Sequence, residues 1–170
     1  SVGMVGVHPP PIDGIKDIDS YLMEIRADWK QINSAIEKFR PHIVNVSASD
    51  ALELNYLDLV AGGYSKSQAQ IGAQRIMQEW KKHWKEVLEN YPDTIFVVAA
   101  GNGGSDWKGD QIVEGYNLPA TLEYDNLIVT ASVDYKGNLS NFSNWEPSHV
   151  DIAASGEMIS SWAPCSTKAV

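Results

Sequence analysis

Ile95-Phe-Val-Val98 is apolar at every position rather than at every second one, and this limits what the chain can fold into. A strand without alternation has no face to give to water, so it belongs inside a parallel sheet covered on both sides. His42–Ser47, Asn126–Val133 and Val150–Ala154 read as further short strands, and Val2–Val7 as another that stops at Pro9-Pro10-Pro11. Between them run helical stripes. Ile18, Tyr21, Leu22, Ile25, Trp29, Ile32, Ile36 and Phe39 recur at steps of three, four and seven over 17–39, until Pro41 ends the pattern. A second stripe over 67–90 carries Ile71, Met77, Trp80, Trp84, Val87 and Leu88, and Tyr91-Pro92-Asp93 breaks it. Leu52 to Val60 read as a short helix ended by Gly62-Gly63. Strands alternating with helices give an α/β class, a parallel sheet with crossover helices, in one domain over 1–170.

Composition removes several functions. Apolar residues make up 44% of the chain, enough for a core, and a net charge of -9 disfavours nucleic acid or an anionic membrane as partner. Cys165 stands alone, so neither an internal disulfide nor a cysteine metal cluster is available from these residues. No run approaches the ~18 apolar residues of a membrane span.

The end of the run at 95–98 is where chemistry is expected. Ala99, Ala100 and Gly101 strip away side-chain bulk, and Asn102 then presents a carboxamide between Gly101 and Gly103. An amide held there can donate to a developing negative charge, as an oxyanion hole requires. The plain alternative is a strand exit with Asn in a turn.

Three loops that such a sheet would gather at the carboxyl ends of its strands resemble those of the subtilisin-like serine proteases, peptidase family S8. Ile43-Val-Asn-Val-Ser47 is similar to that family's V-I-N-M-S, and Phe96-Val-Val-Ala-Ala-Gly-Asn102 to its V-V-A-A-G-N. Leu118-Pro-Ala120, Asn126–Asp134, Gly137-Asn138, Phe142-Ser-Asn144 and Val150–Ala154 then follow the family's order Y-P-A, V-I-A-V-G-A-V-D, G-N, F-S-N and V-D-I-A-A. The resemblance implies a serine endopeptidase acting on peptide or protein substrates, with Asn102 as the oxyanion donor. It implies that Ser47, Ala48 and Ser49 lie along the substrate, although Ala48 and Ser49 depart from the family's S-L-G. It further implies that Ala99, Ala100 and Gly101 wall the pocket before the scissile bond, that Asn117 and Ala120 line its base, and that Leu118–Pro119 is cis.

The triad that such an enzyme needs is not in these residues. No D-[ST]-G, H-G-T-H or G-T-S segment occurs. His8, His42, His83 and His149 lack the histidine setting, Asp13 follows three prolines instead of a strand, and Ser166 is not in a glycine elbow. The expectation is a central fragment of the catalytic domain, inactive alone, that begins after the catalytic His helix and stops just before the catalytic Ser. Right-handed crossovers put helices 17–39 and 67–90 on one face of the sheet, so an apolar face and a strand edge are expected to stay open and drive self-association. No metal or other cofactor is expected, since Asp106, Asp110 and Glu114 lack a calcium spacing. The family suggests a secreted or periplasmic setting. Residues 50–66 read as an insertion that either meets substrate or packs Leu57 and Val60 on the next helix, and Trp107 as a candidate substrate contact. The rival readings are a non-catalytic module of the same fold, used for binding or structure, and a nucleotide-binding domain using Gly101–Gly104. The second lacks a following helix and any G-x-G-x-x-G.

Overall fold

The computed structural model describes residues 29–47, 50–103, 109–113 and 117–160. In chain order they form α1 (Trp29–Phe39), β1 (Ile43–Val46), β2 (Asp50–Ala51), α2 (Leu52–Ala61), α3 (Lys66–Asn90), β3 (Ile95–Ala99), β4 (Asn117–Leu118), β5 (Leu127–Val133) and β6 (Ile152–Ser155). The strand expected over 2–7 and the first part of the helix expected over 17–39 lie outside the described residues. β1, β3, β5 and β6 make one parallel sheet in that order, the α/β arrangement expected. β6 starts two residues later than the sequence reading and runs on to Ser155. Its approach is held by a turn in which the His149 and Val150 amides both donate to the Glu146 carbonyl.

Register sorts the side chains by face. Val44 pairs with Phe96 and Phe96 with Leu127, while Val46, Val98 and Val129 form the next row. Phe96, Val98, Leu127 and Val129 pack with Ile36 of α1 and Met77, Trp84, Val87 and Leu88 of α3 in one buried cluster, with Val44 and Val46 half-buried against it. The other face carries Ile43, Ile95 and Ile152, which are 63%, 41% and 51% exposed. Both helices therefore cover the same side of the sheet, and among the described residues no helix covers the opposite side.

The helices begin and end where local chemistry directs. Ser65 and Gln68 form a reciprocal capping box at the start of α3. α2 closes with Tyr64 N–H on the Leu59 carbonyl (3.1 Å) and Gly63 N–H on that of Val60 (3.0 Å), a Schellman ending. Three expected core residues point outward: Phe39, Leu57 and Ile71 are 37%, 38% and 53% exposed. Ile71 lies six residues before Met77, about 120° away around the helix, and the buried line runs through Ala69, Ala73, Met77 and Trp84 instead. Phe39 sits at the last turn, after which the chain leaves through Arg40 (φ 45°) into Pro41. α2 packs through Leu52, Tyr56 and Leu59, the last against Gly72 of α3, so Leu57 falls on the far side. Trp84 is buried and Trp80 packs beside the core; the side chain of Trp29 lies outside the described residues.

One buried amide organises the entry to β3. Asn126, 9% exposed, points its Nδ2 at the carbonyls of Leu88 and Tyr91, both at 3.1 Å, and of Thr94 at 3.3 Å. Its own carbonyl accepts from Phe96 N–H at 2.8 Å. It thereby ties the end of α3, the turn and β3 to the start of β5. Replacing Asn126 with Ala removes the side-chain donor to those backbone carbonyls, and urea unfolding should show a loss of about 1–3 kcal/mol.

Candidate functional site

The sheet's central strand delivers the site. β3 lies between β1 and β5, and Ala100, 1% exposed, still donates to the Thr130 carbonyl at 3.0 Å. The chain then changes hand: Gly101 has φ 108° and Gly103 φ 74°, backbone that side-chain-bearing residues rarely adopt. Asn102 stands exposed between them, and among the described residues its carboxamide has no hydrogen-bond partner.

What holds this corner is a segment from far along the chain. Asn144, 2% exposed, accepts with a single oxygen, Oδ1, from the amides of Gly103 (2.7 Å) and Asp110 (2.9 Å). Its own N–H donates to the Gly101 carbonyl at 2.9 Å. The two residues flanking Asn102 are therefore both bonded to Asn144. Around it, Ser143 Oγ accepts from Ser132 N–H at 2.9 Å and donates to the Asn144 carbonyl at 3.1 Å, fastening the segment to β5. Gly109 N–H donates to the Asn141 carbonyl, and Asp110 and Ile112 exchange backbone bonds with Trp145. The Gln111 side chain donates to the Glu146 carboxylate, which lies below its usual pKa chiefly for that reason. No role for Asn144 was read from the sequence, although the F-S-N element that contains it was part of the resemblance.

The remaining expected residues divide. Ser47 is exposed and its Oγ accepts from Asn45 Nδ2 at 2.9 Å. Ala48 and Ser49 lie outside the described residues, as do Trp107, Asp106, Glu114, His8, Asp13, Cys165 and Ser166. Just beyond them β2 pairs antiparallel with β4, Ala51 opposite Asn117 and Asp50 opposite Leu118, so the residues that follow the expected groove positions pair with a residue expected at the pocket base. This two-residue ladder was not foreseen. Asn117 is half-buried; its carbonyl accepts from Thr121 Oγ1 (2.7 Å) and its Oδ1 from Val113 N–H (3.3 Å). Leu118–Pro119 is cis. Ala99 is half-buried, whereas Ala100 and Ala120 are each 1% exposed, so their methyl groups belong to the core beneath the site. A cavity of about 610 Å³ lined by Arg40, His42, Tyr91 and Asp93 opens at the amino ends of β1 and β3, the end opposite Asn102. His83 lies on α3, 3.5 Å from Glu86, and His149 in the turn before β6. No helix among the described residues is long and apolar enough to cross a membrane.

Gly109 is the tightest point of the brace. A Cβ there would sit 2.0 Å from the Ser143 carbonyl oxygen and 2.7 Å from its carbon. Backbone cannot yield as a side-chain tip can. Gly109→Ala should lower thermal stability by about 1–3 kcal/mol, measured by calorimetry.

The family model described as the Subtilase family matches residues 19–170. No curated protein matches the chain. Among solved structures, the prenylagaramide maturation protease PagA is 19% identical with a TM-score of 0.47, over 85% of this chain and 44% of that one. MycP1 with its N-terminal propeptide removed is 19% identical with a TM-score of 0.46, over 79% and 42%. The epidermin leader peptide processing serine protease (EpiP) from Staphylococcus aureus is 19% identical with a TM-score of 0.42, over 79% and 32%. The chain thus spans less than half the length of each of these structures.

Proposed function

This chain belongs to the subtilase family of serine peptidases, and on that premise we propose that it supplies the oxyanion hole and part of the substrate groove of a serine endopeptidase. The observation that carries the reading is the exposed Asn102 carboxamide at the carboxyl end of the central strand, flanked by Gly101 and Gly103 at positive φ.

In peptide hydrolysis a serine attacks the scissile carbonyl while a histidine takes its proton, and the carbonyl oxygen becomes negative. Asn102 donates from its Nδ2 to that oxygen. A donor fixed in advance is worth more than a mobile one, because no reorganisation is needed as the charge develops. The Ser47–Ser49 backbone takes the extended substrate as an added strand, with Ala99 and Gly101 beside the residue before the cleaved bond and Asn117 beneath it, while Ala100 and Ala120 back them from the core. No H-G-T-H or G-T-S segment occurs among these 170 residues, so in this reading they supply neither the histidine base nor the serine nucleophile. The chain alone is therefore inactive.

Asn102→Ala in the full-length protein is the decisive test. Peptidase kcat should fall by about 10²–10³ with little change in KM, the range known for such a donor in a subtilisin itself. An unchanged kcat rejects the reading. The absent triad motifs also favour a second reading, a non-catalytic subtilase module, which holds if the full-length sequence lacks all three motifs.

The open sheet face bearing Ile43, Ile95 and Ile152 supports self-association of the isolated chain. Light scattering at high concentration should give a dimer or larger species, and a monodisperse monomer rejects it.

A further inference from the structure

We propose that Asn144 is the positioning residue of this site: it sets the direction of the Asn102 carboxamide without touching the substrate. The inference rests on the oxyanion reading of Asn102 and adds what aims that donor.

Two glycines at positive φ allow the corner to form but do nothing to hold it, since glycine has the widest backbone freedom of any residue. A donor on a free hinge would have to be ordered in the transition state, at a cost to the rate. Asn144 removes that freedom from three directions. Its N–H fixes the Gly101 carbonyl at 2.9 Å on one side of Asn102, and its Oδ1 fixes the Gly103 amide at 2.7 Å on the other. The same Oδ1 takes the Asp110 amide at 2.9 Å and so closes the base of the loop that leaves the corner. Both bonds fall on one oxygen of a side chain only 2% exposed, where water cannot substitute for it. Asn144 is itself immobile, because Ser143 ties it to Ser132 of β5 and Trp145 pairs with Asp110 and Ile112. The corner is thus referred to β5, the strand that also pairs with β3.

A merely structural Asn144 would lower stability and leave the chemistry of folded molecules intact, whereas a positioning residue acts through Asn102. In the full-length protein, Asn144→Leu keeps the branched shape and removes the acceptor. Its kcat should fall ~10–10²-fold with KM held within about twofold, the size expected from misplacing a catalytic group by about 1 Å. Asn144→Ser, whose hydroxyl reaches one of the two amides, should show a smaller loss of the same kind and serves if the Leu variant does not fold. In an Asn102→Ala background either change should cost less than about twofold further, because the group it aims is already gone. Losses that multiply in the double variant, or an unchanged kcat in the single one, overturn the positioning role while the oxyanion reading stands. An Asn102→Ala variant with unchanged kcat overturns both. Amide exchange on the unsubstituted protein gives a check free of substitution: the Gly103 and Asp110 amides should be protected like those of the β3–β5 ladder, and exchange at the rate of exposed peptide overturns the clamp.

Discussion

Burial of Phe96 and Val98, each 1% exposed, is the constraint from which the rest of this structure follows. They occupy the covered face of the central strand, with Val44 and Val46 on one side, Leu127 and Val129 on the other, and α3 above. A fully buried side chain of this size contributes about 1.5–3 kcal/mol. A slip of one residue would move both to the open face, so the register of β3 is held by the core itself. Where β3 ends is where Asn102 emerges. The position of the site is therefore an outcome of packing several residues upstream.

Packing fixes position but not direction, and past Ala100 there is no further apolar side chain on β3 to bury. Directional bonds take over at both ends of the strand. Asn126 gathers the carbonyls of Leu88, Tyr91 and Thr94 at the entry, and Asn144 gathers the backbone of residues 101, 103 and 110 at the exit. Both asparagines lie in the segments that flank β5. That strand thus supplies one wall of the β3 ladder and, through its two flanks, the polar fixings at either end. Each amide is 9% exposed or less, so a lost bond there finds no replacement from solvent.

Apolar runs closed by Pro or Gly were legible because strand length and punctuation are local properties: β1, β3 and β5 begin within one residue of where the runs begin. The body of α3 was legible for the same reason, with Pro92 just past its end, while its Ser65 cap was not read. Ile71 and Leu57 misled because an isoleucine or leucine in a helix carries no mark of the face it will occupy when several spacings fit. β2 and β4 were hidden, since a two-residue ladder has no periodicity to detect. The buried asparagines were hidden more deeply. Asn is an ordinary turn residue by composition, and the bond from Gly103 to Asn144 spans 41 positions. Only the fold brings those positions together, so only the motif order pointed near them.

The backbone at Gly101 shows why the carboxamide is available at all. Residues 96, 98 and 100 point into the covered face, each 1% exposed, while 97 and 99 are half-buried on the other. Were the chain to stay extended, residue 102 would continue the even series and bury its side chain against the helices. A polar amide there would lose its water and gain no partner. The turn to φ 108° at Gly101 breaks the alternation before that happens, and Asn102 comes out exposed. The reversal would be loose if it ended there. Asn144 bonds the carbonyl on the near side of the break and the amide on the far side, which makes the departure from strand geometry as defined as the strand before it.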